Sequence, residues 1–171
     1  MERRPATPDE ARALANPLRL RILRLCLDTE LTNEELATAL DRDAGTVLHH
    51  VRLLVETGFL EPAPERRGRR GAIERPYRAT GKSWTLDVGD SPSMTLAFVD
   101  AFRAEISEAP PGGVPWSGRL AVRLQPGARE AFEGRLQALV EELKDADDPE
   151  GEPYGFFAGL HRRRDHTAPP K

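Results

Sequence analysis

The spacing of apolar and polar positions divides the chain into a run of short helices, a hairpin, and a longer region that mixes helical and extended patterns. Leu18, Ile22, Leu25 and Cys26 share one helical face, with Arg19, Arg21 and Arg24 placed elsewhere around it. Asn16 precedes this run as an N-cap residue, and Pro17 fits the first helical position, where no N–H is needed. A shorter helix is expected over Asp9–Ala15. Thr32-Asn33-Glu34-Glu35 has capping-box spacing and opens a helix to about Leu40, with Leu36 and Leu40 inward. Asp41-Arg42-Asp43 breaks the period. Asp43 is placed to cap a further helix over 44–57, and Gly58 stands where a left-handed C-terminal cap favours glycine. Two helices joined by about three residues have the spacing of a helix-turn-helix.

Phe59–Ala63 and Ala72–Thr80 read as two strands, the second with Ile73, Tyr77 and Ala79 on a period of two and with Pro76 suggesting an edge position. Between them lies PAPERRGRRG, so strand, basic loop and strand form a β-hairpin wing. Ser91-Pro92 begins a helix to about Glu108, along which Met94, Phe98, Phe102 and Ile106 recur every four residues. Pro110–Ser117 reads as a linker and Gly118–Leu124 as a strand. Gly127–Lys144 reads as an amphipathic helix carrying Phe132, Leu136, Leu139, Val140 and Leu143, and the apolar run YGFFAGL completes a strand-helix-strand. The expected fold is α+β. A winged helix-turn-helix domain covers 8–82, a C-terminal dimerisation or effector region covers 91–161, and 1–7 and 162–171 are flexible tails.

Composition adds bounds. With 171 residues, 39% hydrophobic and 31% charged, the chain suits a globular protein. No apolar run approaches the ~20 residues of a membrane helix. The charged start MERRPATPDE has no apolar leader, so the expected compartment is the cytoplasm and no membrane partner is expected. The single Cys26 excludes an internal disulfide framework and a multi-cysteine metal site. Net charge is −3, yet residues 1–82 carry 15 Lys/Arg against 13 Asp/Glu while 83–171 carry 10 against 15. Within Glu65–Arg78 six arginines face two glutamates, a local basic cluster suited to phosphate.

Placing 44–57 on a helical wheel at about 100° per residue puts Val47, Val51 and Leu54 together, flanked by His50 and Val55. Gly45, His49 and Arg52 fall on the opposite side, bordered by Thr46 and Leu48. A helix presented in this way fits the major groove of B-DNA, where base edges carry a readable donor and acceptor code. His49, Arg52 and Thr46 donate to bases or phosphates, and Leu48 suits a thymine methyl. Arg66, Arg67, Arg69 and Arg70 surround Gly68 at the hairpin tip, where arginine contacts backbone phosphate or enters a narrow minor groove. The other reading of the same residues is an ordinary solvated helix face beside a flexible basic loop, or a winged helix that binds protein.

Leu14-Ala15-Asn16-Pro17-Leu18-Arg19, Leu31-Thr32 leading into Glu35-Leu36-Ala37, Thr46-Val47, His49-His50 and Gly58-Phe59-Leu60 together resemble the winged-helix core of the ArsR family of bacterial transcriptional regulators. The resemblance covers about residues 8–80. It implies a homodimeric DNA-binding repressor, less often an activator, in which Thr46, Leu48, His49 and Arg52 face DNA. Three departures stand out. Asp41 occupies a turn position that is often Gly, Ala44-Gly45 opens the recognition helix where Ser or Gln is usual, and the thiolate pair or C-terminal His/Asp set of metal-sensing members is missing. His49 and His50 diverge by about 100° and do not chelate one metal together. No metal and no cofactor is expected.

The C-terminal pattern is too small to bury its own apolar face. It packs on the wing domain, on the Met94–Ile106 helix or on a second chain. Dimerisation through Met94, Phe98, Phe102 and Ile106 is the favoured reading, since winged-helix dimers space two reading heads by about 34 Å. Phe98, Phe102, Trp116, Phe132, Phe156 and Phe157 alternatively line a pocket for a small apolar effector. An enzyme is not expected: the sequence has no G-x-S-x-G, glycine-rich phosphate loop or His-x-x-x-His pair. Double-stranded DNA and a second copy are the expected partners.

Overall fold

The computed structural model describes residues 3–68, 71–89 and 91–163. β1 (Arg4–Pro5) leads into α1 (Pro8–Leu14), which Thr7 and Glu10 open with a reciprocal capping box. Asn16 caps α2 (Pro17–Asp28) by accepting from the Arg19 N–H. Thr32 and Glu35 form the box that opens α3 (Asn33–Ala39), and Asp43 caps α4 (Ala44–Glu56). Each start therefore follows from a short polar side chain that satisfies N–H groups the helix leaves unpaired. Asp41 turns the chain from α3 to α4 at φ +50°, a left-handed conformation that Asp tolerates better than most side chains. After α4, Gly58 takes φ +72° and releases the chain toward the hairpin.

Four short strands make the wing: β2 (Leu60–Pro62), β3 (Arg66–Arg67), β4 (Ile73–Glu74) and β5 (Tyr77–Ala79). Leu60 lies opposite Ala79 and Pro62 opposite Tyr77, whereas farther out Arg66 lies opposite Glu74 and Arg67 opposite Ile73. Residues 63–65 thus face only 75–76, a one-residue offset of the kind a bulge introduces. Pro64 and Pro76 have no N–H to give a ladder, and the offset falls at them. The single return strand expected over Ala72–Thr80 is therefore broken in two. Its inner half packs on the core, and Leu31 bridges Tyr77 on the other side. The outer half projects beyond the core, leaving Ile73 70% exposed rather than inward with Tyr77.

The core is built from every helix up to the wing and beyond it. Leu14, Ile22, Cys26, Leu36, Val47, Val51, Leu54, Phe59 and Leu60 are all buried. β6 (Leu86–Asp87) and α5 (Pro92–Glu108) follow the wing, and Leu86, Met94, Ala97 and Ala101 are buried too. Arg21 pairs with Glu108 at 2.5 Å and Arg24 with Glu105 at 3.9 Å, which ties α2 to the last turns of α5. α5 thus belongs with the helix-turn-helix, and the chain divides into two compact units between Val114 and Pro115, not between 82 and 91. The segment before α1, expected as a flexible tail, is ordered from Arg3. β1 pairs parallel with β6, and the Ala6 N–H donates to Asp87 at 2.8 Å. The remaining tail residues 1–2 and 164–171 lie outside the described residues.

The second unit contains α6 (Pro126–Asp145) and, among its described residues, no strand. The strands expected at Gly118–Leu124 and in YGFFAGL are extended or turning chain instead, because a strand exists only where a neighbour takes its N–H and C=O groups. None of the described residues of this unit is buried. Among the described residues no helix is long and apolar enough to cross a membrane.

Candidate nucleic-acid interface

α4 is held from below by Val47, Val51 and Leu54, each 0% exposed, as the wheel predicts. That fixes which side chains look outward. Gly45, Thr46, His49 and Arg52 are exposed, and Leu48 is half-buried beside them. Asp43 sets the first turn: its carboxylate accepts from the Thr46 N–H at 2.9 Å, with the Thr46 hydroxyl 3.4 Å away. At the other end of the turn, the Asn33 amide donates to the Ala44 carbonyl at 2.9 Å, fixing α3 to the start of α4.

The two histidines have separate surroundings, their rings edge-on with centroids 5.4 Å apart. His49 points outward. His50 faces the body of the protein, where its Nδ1 lies 3.3 Å from the Arg19 guanidinium. Burial, and then the Arg19 and His49 charges, lower the His50 pKa. A permanent donor at Nδ1 makes that nitrogen the acceptor of a neutral ring, with the proton on Nε2. Arg19 is itself buried. Its guanidinium donates to the Ala13 carbonyl and to the Arg12 carbonyl, closing the C-terminal end of α1. The sequence reading set Arg19 apart from the buried face of α2. No periodicity marks it, because its burial rests on carbonyls of another helix.

The wing divides its arginines. Arg66 donates to Glu35 at 2.5 and 2.6 Å, to Glu74 at 3.0 Å and to the Glu30 carbonyl at 3.3 Å. Glu35 already accepts from the Thr32 N–H in the α3 capping box, and that bond, with Arg66 beside it, holds its carboxyl below the usual range. Arg66, expected to grip phosphate, is paired here with Glu35 and Glu74, which ties the wing to the N-terminus of α3. Gly68 serves the same latch, since a Cβ there would collide with the Glu74 carboxylate. Arg75 pairs with Glu65 at 2.9 Å and Arg78 with Glu61 at 2.7 Å, so much of the basic cluster is neutralised internally. Arg67 is exposed and has no ion-pair partner among the described residues. Arg69 and Arg70 lie outside the described residues. Arg42, which the sequence reading did not single out, is exposed between α3 and α4; its backbone N–H donates to the Ala37 carbonyl at 2.9 Å, and its guanidinium has, among the described residues, just the adjacent Asp41 carbonyl at 3.2 Å. Its position in the turn is the signal that marks it.

The four residues expected at a dimer contact have unequal positions. Met94 is 2% exposed within the chain's own core, and Phe98 packs partly against that core. Phe102 is half-buried and Ile106 is 43% exposed, on the same helix as the exposed Leu96 and Val99. Cys26 is buried and its thiol is pushed up to about 12 by burial, as suits a small core residue. Among the described residues no cluster of three or more His, Cys, Asp and Glu side chains is placed to hold a metal ion.

Residues 14–63 match a protein family described as a helix-turn-helix domain. No curated protein matches the chain. Among solved structures, reduced HlyU from Vibrio cholerae is similar at 22% identity over 52% of this chain and 77% of that one, with a TM-score of 0.35. The transcriptional repressor BigR from Xylella fastidiosa is similar at 19% identity over 58% of this chain and 83% of that one, with a TM-score of 0.36. A MepR–DNA complex from S. aureus is similar at 17% identity over 82% of this chain and 81% of that one, with a TM-score of 0.30. The helix-turn-helix match, with a winged α+β fold around it, supports a DNA-binding transcriptional regulator.

Proposed function

We propose that this chain is a sequence-specific DNA-binding transcriptional regulator of the ArsR type that senses no metal and acts as a homodimer. α4 enters the major groove, with Thr46, Leu48, His49 and Arg52 toward the bases. Arg67, Arg69 and Arg70 of the wing meet the flanking backbone or minor groove, and Arg42 adds a phosphate contact beside α4. Arg66 positions the wing. Occupying a promoter with two such heads blocks transcription, which makes repression the expected sign. A small apolar effector bound in the C-terminal half would modulate it.

The observation that carries this reading is the pinning of α4. Three fully buried apolar side chains fix its rotation, so the polar side chains that look outward do so in one orientation. Fluorescence anisotropy against duplex DNA from upstream of the chain's own gene, with a scrambled duplex and a salt titration, tests it. The expected result is a preference of about 10³ or more for the native duplex. Equal, weak binding to both duplexes would overturn the reading. That outcome favours a winged helix that recognises protein, for which the internal pairing of Arg66, Arg75 and Arg78 speaks.

A further inference from the structure

α6 carries Phe132, Leu136, Leu139 and Leu143 at spacings of four, three and four, the a/d seam of a coiled coil. Phe132 is 41% exposed, Leu139 41% and Leu143 46%, and no described residue of the unit that contains them is buried. A helix in water draws most of its stability from packing one apolar face, and this face is only partly covered. The charges beside the seam say what covers it. Arg129 is held by Glu133 at 2.6 Å and Lys144 by Glu141 at 3.0 Å. The side chains of Arg135 and Glu142, which flank the seam on one side, have no hydrogen-bond or ion-pair partner among the described residues.

We propose that α6 pairs antiparallel with the same helix of a second copy of this chain. A two-fold axis between Leu136 and Leu139 sets Leu136 against the partner's Leu139 and Phe132 against the partner's Leu143. The same register brings Arg135 beside the partner's Glu142, and symmetry makes that pair twice. Parallel pairing would put Arg135 against the partner's Val140 and leave both charges unmatched. The free charges therefore select the direction as well as the occupant. This inference rests on the homodimer part of the proposed function and not on DNA binding, and it names the surface that makes the dimer.

Sedimentation of the full chain, with Arg135→Glu, Glu142→Arg and the double reversal, tests it. The wild type is expected to be a dimer at micromolar concentration. Each single reversal weakens it by about tenfold, from two exposed pairs turned repulsive, and the double reversal restores it. A spin label at Gly127→Cys, a position open to a side chain, gives a second readout in chains whose one native thiol, Cys26, is buried. Antiparallel helices separate the two labels by about 30 Å and parallel ones by about 10 Å. A monomeric wild type would overturn both the inference and the homodimer. A dimer indifferent to both single reversals, a double reversal no better than either, or a label distance of about 10 Å would overturn the α6 pairing alone. DNA binding, measured separately, is left untouched by these outcomes.

Discussion

α4 and α6 are both amphipathic, and the molecule treats them in opposite ways. α4 buries Val47, Val51 and Leu54 completely beneath a helix whose outward face is polar. α6 is longer and has a comparable apolar stripe, yet Phe132, Leu139 and Leu143 remain more than two-fifths exposed. The difference lies in what surrounds each helix. Up to Val114, α2, α3, the hairpin and α5 close over one interior, whereas the second unit has one helix and no strand among its described residues. An apolar stripe specifies that a helix must be covered, and only its neighbours decide by what.

Substitutions aimed at one unit and read in the other sharpen this contrast. The largest effect belongs to the interior. Leu54→Ala is expected to cost about 3 kcal/mol through lost packing and a residual cavity. Leu139→Ala is expected to change the first unit's unfolding by less than about 0.5 kcal/mol. Urea unfolding read at Trp84 in a Trp116→Phe background measures both, and equal losses would break the contrast.

Acid comes next. His50 has its pKa lowered in the folded chain, so the unfolded chain takes up a proton first and stability falls as pH drops through about 6.5. The slope from this one group is at most about 1.4 kcal/mol per pH unit. His50→Gln is expected to flatten a plot of Tm against pH between 7 and 5.5, and an unaltered plot would count against the burial of His50 and, after it, against the Arg19 charge beside it. Glu10 and Glu35, both held below the usual carboxylate range, add a further loss only as pH falls through that range.

The latch on the wing is subtler. Arg66→Ala is expected to weaken DNA binding about fivefold with the salt slope unchanged, and Glu35→Gln to do the same. Arg67→Ala should instead lower the salt slope by about one, as loss of a phosphate contact does. A reduced slope for Arg66→Ala would return that residue to the phosphates. The smallest effect is Asp41→Gly. Relief of the left-handed turn, offset by the entropy glycine loses, is expected to raise stability by about 0.5 kcal/mol in thermal unfolding.

Much of the fold was legible because its signals are local. Asn16, Thr32 with Glu35, Asp43 and Gly58 mark helix ends within four residues of the groups they satisfy, and each acts where the spacing puts it. The outward face of α4 was legible for the same reason, since periodicity alone identifies Val47, Val51 and Leu54 as the buried side. What escaped depends on distant partners. Glu35 stands 31 positions from Arg66, so a run of arginines reads as free charge when one of them is engaged. Arg19 is buried against carbonyls of α1, and no pattern within α2 foretells that. Gly118–Leu124 alternates as a strand should, but alternation supplies no neighbour to pair with.

The N-terminal strand carries a consequence for the order of assembly. The pairing of Arg4 with Leu86 joins positions on either side of α1 to α4 and the wing. Its anchor is Glu10, which accepts from Arg4 at 2.6 and 2.8 Å, from Lys82 at 2.8 Å and from the Thr7 N–H at 2.8 Å. Lys82 in turn donates to the Thr57 carbonyl at 2.6 Å, at the end of α4. Closing so long a loop early costs entropy that few contacts return, so the strand is expected to dock after the helices have set Lys82 and Leu86 in place. By the same accounting it is expected to be the first piece of the first unit to leave. Amide exchange at Ala6 is therefore expected to report the earliest loosening of the first unit, and its protection the completion of that unit's folding.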